Sequence, residues 1–163
     1  MSSKENLMEA FGGESQANRK YLAFAKKADK EGFKQIAKLF RAAAEAETVH
    51  AHNHLEIASG INETKENLLA AISGETEEFT TMYPNFIAEA KAEKNDAALW
   101  TFNVANNVEQ IHAVLYQKAL ENIGKNPEVD YYVCALCGNT VEESAPEKCP
   151  ICGASQSEFM KID

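Results

Sequence analysis

The sequence predicts an all-α four-helix bundle followed by a small metal domain built on cysteine. Three observations carry this. Residues from about Lys4 to Ile123 fall into four stretches of helical apolar spacing, each roughly 25–30 residues long, which suits a bundle better than an average globular helix. Of the 25 acidic residues, 21 are Glu and 4 are Asp, a bias toward residues that tolerate helix interiors. All four Cys lie between positions 134 and 152, and three of the four Pro lie after 126, so the chain changes character near its end.

The first helix is expected to run to about Asp29, before a turn at Asp29–Gly32. The second ends at Gly60, read as its C-terminal glycine. The third spans Asn62 to about Asn95, with Pro84 inside it and a kink expected there. The fourth ends at Gly124. This places a bundle at 1–125, a linker at 126–130 and the cysteine domain at 131–163. The two halves of the bundle resemble one another. Glu47-x-x-His50 recurs as Glu109-x-x-His112, an offset of 62 that also carries Phe40 onto Phe102 and Ala43 onto Ala105, while Glu14 falls on Glu75 at 61. A duplicated helical hairpin follows, with a symmetric site at its centre.

Charge excludes some partners. With 16 Lys+Arg against 25 Asp+Glu the formal charge is −9, which leaves no basic footprint for nucleic acid or an anionic membrane. The apolar runs fall far short of the ~20 residues that span a bilayer. Met1–Glu5 has no apolar core, so no signal peptide is expected and a cytoplasmic protein is.

The bundle's apolar stripes carry carboxylates where a core belongs. On the second helix the stripe runs Ile36, Phe40, Ala43, Glu47, His50, His54; on the fourth, Ala98, Phe102, Ala105, Glu109, His112, Tyr116. Glu14 takes the same place on the first helix, and Glu75 with Glu78 on the third. A bare buried carboxylate costs several kcal/mol, so it must be protonated, paired or metal-bound. No Lys or Arg falls at matching depth on these stripes, which leaves bound cations. Glu and His three residues apart share a helical face, and mixed carboxylate and imidazole donors suit iron or manganese rather than calcium. One Glu from each of two helices plus Glu-x-x-His from each of the others is the ferritin-like di-iron arrangement. Glu78 breaks the symmetry, since its counterpart in the first half is Ala17.

Cys134-x-x-Cys137-Gly138 and Cys149-x-x-Cys152-Gly153 form two knuckles eleven residues apart. In a chain without a secretory signal, such a pair means a tetrahedral thiolate metal site rather than disulfides. Four thiolates fit zinc or a single iron. A neighbouring di-iron bundle, which needs an electron donor, favours iron.

With both Glu-x-x-His pairs, both knuckles, Gly13-Glu14-Ser15-Gln16-Ala17, and Gly74-Glu75-Thr76-Glu77-Glu78 running on to Met82-Tyr83-Pro84, the chain resembles the rubrerythrin family. The likeness covers essentially the full length: a ferritin-like bundle, then a rubredoxin-like domain. The resemblance implies that Glu14, Glu47, Glu75, Glu78, Glu109 and His112 ligate a di-iron centre, with His50 replacing Glu78 on one iron when the site is reduced. Cys134, Cys137, Cys149 and Cys152 would hold one further iron. The implied activity is reduction of hydrogen peroxide to water in oxidative-stress defence, with Glu78 and His50 as the catalytic pair. Electrons would come from NAD(P)H through a reductase and rubredoxin or another carrier.

The Lys125–Asp130 linker reads as too short to fold the tail over its own bundle centre. A head-to-tail homodimer is therefore expected, with electrons crossing between subunits. Helical hairpins could exchange at the turn near residues 60–64. Two rival readings share these residues: a ferroxidase or iron-storage protein on the same bundle, and a non-enzymatic zinc-ribbon interaction module.

Overall fold

Two alanine-lined helices open the chain. The computed structural model describes residues 2–163, which divide into a first unit reaching to Asn62 and a second, Glu63–Asp163. In the first unit α1 (Ser3–Lys30) and α2 (Lys34–Ile57) form a hairpin. Ser2 starts α1 with a capping box, its hydroxyl accepting from the Glu5 N–H while the Glu5 carboxylate accepts from the Ser2 N–H. The turn closes through Gly32, whose φ of +86° is left-handed and suits a residue without Cβ. The fully buried side chains of this unit are all alanines: Ala25, Ala28, Ala37, Ala44, Ala51 and Ala58. Small side chains let the helices approach closely. Asn18 then ties them together, donating to Ala44 O at 2.7 Å and Thr48 Oγ at 2.8 Å.

The hairpin has no core of large residues. Phe24, Ile36 and Leu39 remain 47%, 49% and 67% exposed. An alanine methyl contributes only about 0.8 kcal/mol when buried, so this unit gains little from its interior while its large apolar side chains stay exposed.

The second unit holds α3 (Thr64–Glu77), a π-helical turn (Glu78–Met82), α4 (Tyr83–Glu93) and α5 (Asp96–Glu121). Together α3, the π-turn and α4 make the expected third helix. Pro84 accounts for the irregularity, because it has no N–H to donate and its ring clashes with the carbonyl four residues back. The backbone widens just before it, with the Tyr83 N–H reaching Glu78 O. Lys94 at φ +57° ends α4, and the Asn95 side chain caps α5 by accepting from Ala98 N–H at 3.1 Å.

The π-turn also explains the changing offset between the halves. Glu14 and Glu75 are 61 apart, yet Tyr21, Phe24 and Phe40 lie 62 before Tyr83, Phe86 and Phe102. One extra residue therefore enters between Glu75 and Tyr83, where the helix widens by one residue. The two aromatic triads repeat in three dimensions. Phe24–Phe40 and Phe86–Phe102 ring centroids both lie 5.5 Å apart, and Tyr21–Phe40 and Tyr83–Phe102 lie 6.2 and 6.4 Å apart. The duplication is structural as well as sequential.

Beyond Gly124 (φ +78°) the chain turns back, and Asn126 Nδ2 donates to Ala119 O at 3.0 Å. A three-stranded antiparallel sheet follows in the order β2-β1-β3: β1 (Tyr131–Cys134), β2 (Thr140–Glu142) and β3 (Phe159–Ile162), with Tyr132 opposite both Val141 and Lys161. The sheet domain packs on the chain's own α5. Lys118 Nζ lies 2.6 Å from Glu142 Oε2, and a Cβ at Gly138 would touch the buried Val108.

Two expectations change. The residue with left-handed φ after α2 is Ser59, at +60°, not Gly60, where a Cβ would instead run into the Leu55 side chain. The linker does not need to reach far, since the reversal at Gly124 lays the tail alongside α5.

Ala44→Leu, at a position 1% exposed where Asn18 bonds the backbone, should force α1 and α2 apart and cost about 1–3 kcal/mol. Urea denaturation should show a lower midpoint at unchanged slope. A wild-type midpoint would mean the helices are not held tightly there.

Candidate metal centres

Helical spacing brings each Glu-x-x-His pair onto one face, and a third glutamate joins it from the neighbouring helix. In the first unit Glu14 of α1 meets Glu47 and His50 of α2, with one donor atom from each within 4.8 Å of the others. His50 Nδ1 lies 2.9 Å from Glu47 Oε2. In the second unit Glu75 of α3 meets Glu109 and His112 of α5 in the same way. His112 Nδ1 lies 2.7 Å from Glu109 Oε2 and 3.7 Å from Glu75 Oε1. Among the described residues, none of these glutamates forms an ion pair with Lys or Arg.

The electrostatics of the second group call for a cation. Burial pushes the Glu75 carboxyl up to about 7, helped by the charge of Glu109, a hydrogen bond with it, and the charge of Glu78. Glu78 also rises, from burial and then Glu109, with His112 pulling the other way. Burial and the charges of Glu109, Glu78 and Glu75 push the Tyr83 phenol upward too. A proton stands in for positive charge that a metal would supply. The donors fit a carboxylate and imidazole metal site.

The four cysteines form a third group, their sulfurs mutually within 4.8 Å. Cys134 and Cys152 sulfurs lie 3.7 Å apart and those of Cys137 and Cys149 3.5 Å, far longer than an S–S bond. Gly138 and Gly153 follow the knuckles at φ +82° and +77°. Backbone N–H groups then point at sulfur: Asn139 at Cys137, Ile151 and Cys152 at Cys149, and Ala154 at Cys152. Burial raises the Cys149 thiol, but those N–H groups outweigh it and bring it down to about 7. Burial pushes Cys137 and Cys152 upward. A bound cation stabilises all four as thiolates.

The structure thus assembles Glu14, Glu47 and His50; Glu75, Glu109 and His112; and the four cysteines. Glu78 stands outside the second set, at the first residue of the π-turn, close enough to feel Glu109 and His112. Tyr21 and Tyr83 pack in the aromatic triads. Sequence reading passed over Thr140, whose Oγ lies 3.0 Å from His112 Nε2. Nothing local marks a threonine after a knuckle as a contact for a helix 28 residues earlier.

Paired Glu-x-x-His groups on duplicated hairpins, with a four-thiolate tail, define a non-haem di-iron carboxylate protein carrying its own iron–thiolate domain. The family model described as rubrerythrin matches residues 5–120, and that described as the rubrerythrin, rubredoxin-like domain matches 132–160. Rubrerythrin-2 of Clostridium acetobutylicum is 33% identical over 94% of this chain and 92% of its own length. Nigerythrin of Nitratidesulfovibrio vulgaris is 34% identical over 97% and 85%. Structures of nigerythrin in a mixed-valence and a fully reduced, all-ferrous state align with 99% of this chain and 87% of theirs, at TM-scores of 0.59 and 0.58 and identities of 33% and 34%. The chain belongs to the rubrerythrin family. Its fold is ferritin-like helices followed by a rubredoxin-like domain, and its cofactors are a di-iron carboxylate centre and a single iron on four cysteines. It is an iron-dependent redox protein.

Metal must displace the proton that Glu75 holds up to about pH 7. Divalent-metal affinity of the metal-free bundle should therefore fall as pH drops below that value. Calorimetry in buffers of differing ionisation heat should read about one proton released at this group. Heats independent of the buffer would show that no proton is displaced.

Proposed function

We propose that the protein reduces hydrogen peroxide to water, taking electrons from NAD(P)H through a reductase and rubredoxin or another carrier. The reaction consumes two electrons and two protons per peroxide and yields two waters. The observation that carries this reading is the seat of the four-cysteine domain on α5, where Thr140 meets His112 of a metal group. A storage protein has no use for an electron-delivering domain in that place. A zinc-ribbon interaction module has no use for clustered, half-buried carboxylates.

The ligand set we propose is Glu14, Glu47, Glu75, Glu78, Glu109 and His112 for the iron pair, with His50 exchanging for Glu78, and the four cysteines for the single iron. When bound, the iron pair held by these carboxylates and histidines would supply electrons for O–O cleavage, and the iron held by the four cysteines would be the source that replenishes them. The side chains manage protons and geometry. Tyr83, its phenol pushed upward by burial and three nearby carboxylates, keeps an O–H beside the site. Glu78 sits where the helical ladder is already broken, and this favours movement into and out of the ligand set. His50 is held at Nδ1 by Glu47, 2.9 Å away, and this single tie favours the reciprocal movement. Cysteines kept as metal ligands fit a reducing cytoplasm.

Each hairpin alone brings together three donors, too few for two ions. We propose that two copies complete each other, the α1–α2 hairpin of one serving the α3–α5 half-site of the other. The alanine-only interior and open apolar side chains of the first unit support this. Electrons then pass from the tail to the half-site on its own α5, whose other half is the partner's.

Two measurements test the proposal. Glu78→Ala should lower peroxide turnover about 10–100-fold while iron content changes far less; equal loss of both would make Glu78 an ordinary ligand. Glu47→Ala and Glu109→Ala should each be inactive alone. Co-expressed, they should recover about a quarter of wild-type turnover, because half the dimers then hold one intact site. No recovery would sink the exchanged dimer.

A further inference from the structure

The His112 ring is held at both ends. Nδ1 lies 2.7 Å from Glu109 Oε2 and 3.7 Å from Glu75 Oε1, while Nε2 lies 3.0 Å from Thr140 Oγ. Thr140 opens β2, just beyond the first knuckle. Its proton is already committed, since Oγ donates to Gly138 O at 3.1 Å. A hydroxyl has one proton to give, so toward His112 it acts as acceptor. With the hydroxyl proton on Gly138 O, Nε2–H is the matching donor to Oγ. In the metal-free protein Nδ1, 2.7 Å from Glu109 Oε2, shares a proton with that carboxylate; a metal bound between them takes the place of that proton and leaves Nε2–H on Thr140.

The anchor behind Thr140 is rigid. Gly138 ends the knuckle, its N–H donates to Cys134 O at 2.8 Å, and Cys134 N–H donates to Asn139 O at 2.9 Å. Asn139 is fully buried, and α5 lies close behind through Val108. The acceptor offered to His112 is thus as fixed as the cysteine knuckle itself. The duplicated half ends before any cysteine domain, and among the described residues His50 is tied at Nδ1 alone, 2.9 Å from Glu47 Oε2, where His112 is tied at both nitrogens. One histidine is clamped and its counterpart is not.

We infer that Thr140 is a positioning residue for the bundle centre, supplied by the cysteine domain: its hydroxyl selects the Nε2–H tautomer of His112 and so presents Nδ1 to the metal. Docking of the tail then has two roles, delivering electrons and preparing a ligand. The clamp also separates the histidines by task, with His112 static and His50 left to move. This rests on the reading of His112 as a metal ligand.

The test uses the full-length protein loaded with zinc, which is diamagnetic, and compares wild type with Thr140→Val, near-isosteric but without the hydroxyl, and Thr140→Ser, which keeps it. Long-range proton–nitrogen correlation of the His112 ring should show, in wild type, a slowly exchanging Nε2 proton and an Nδ1 resonance that moves on zinc titration. Thr140→Val should lose the slow exchange and bind zinc in the bundle about 10–100-fold more weakly, with the four-cysteine site unchanged. Thr140→Ser should restore both. Thr140→Ala serves as a second deletion should valine disturb β2. A hydroxyl-free variant with the wild-type ring signature and affinity overturns the inference, as does a folded Thr140→Ser that behaves like the deletions. Failure of the underlying reading is distinct: it shows in wild type, as a His112 ring that ignores zinc, and it removes the inference with it.

Discussion

Carboxylates crowded at mid-helix with no cationic side chain to meet them are the constraint on which the rest depends. Two like charges 4 Å apart repel by about 4 kcal/mol at an effective dielectric near 20. The metal-free second unit meets that cost by holding a proton on Glu75 up to about pH 7. Iron relieves it differently, by turning repelling groups into ligands. The glutamates sit on the stripes that should build a hydrophobic core, so each hairpin gives up core volume to the site. What remains fully buried in the first unit is alanine. The metal centre and the weakness of the isolated hairpin share one cause.

Duplication supplies the symmetry and a single extra residue breaks it. The aromatic triads Tyr21/Phe24/Phe40 and Tyr83/Phe86/Phe102 repeat with nearly the same ring distances, so the packing above the site is shared by both halves. Between Glu75 and Tyr83 the π-turn absorbs one added residue while keeping acid and aromatic on the same face. Glu78 stands at that break, matched in the first half by Ala17. Backbone irregularity and the unmatched carboxylate occur at one place, where a helix gives up regular hydrogen bonding.

The cysteine domain is integral to the second unit. Reversal at Gly124 brings it back along α5, the Lys118–Glu142 ion pair marks the contact at the surface, and Gly138 allows the knuckle to approach Val108. The ion pair is exposed at Lys118 and contributes little by itself. The approach of β2 to His112 carries more weight, because it brings Thr140 Oγ to 3.0 Å from the ring of a histidine in the second donor group.

Much of this was legible in the chain alone. Glu-x-x-His spacing puts both side chains on one helical face wherever the helix goes, and Cys-x-x-Cys-Gly closes its own turn. Local periodicity therefore set the fold class and which donor side chains share a face, while donor chemistry narrowed the metals and left zinc or iron open at the four cysteines. Gly60 shows the limit even locally, since the left-handed position fell to Ser59 while the glycine answered a side-chain clash. Tertiary structure alone decided the rest: the division into two units, the direction of the tail after Gly124, and the meeting of Thr140 with His112. The physical reason is range. Spacing along a helix is set by bonds within a few residues, whereas a hydrogen bond across 28 residues depends on how whole elements pack.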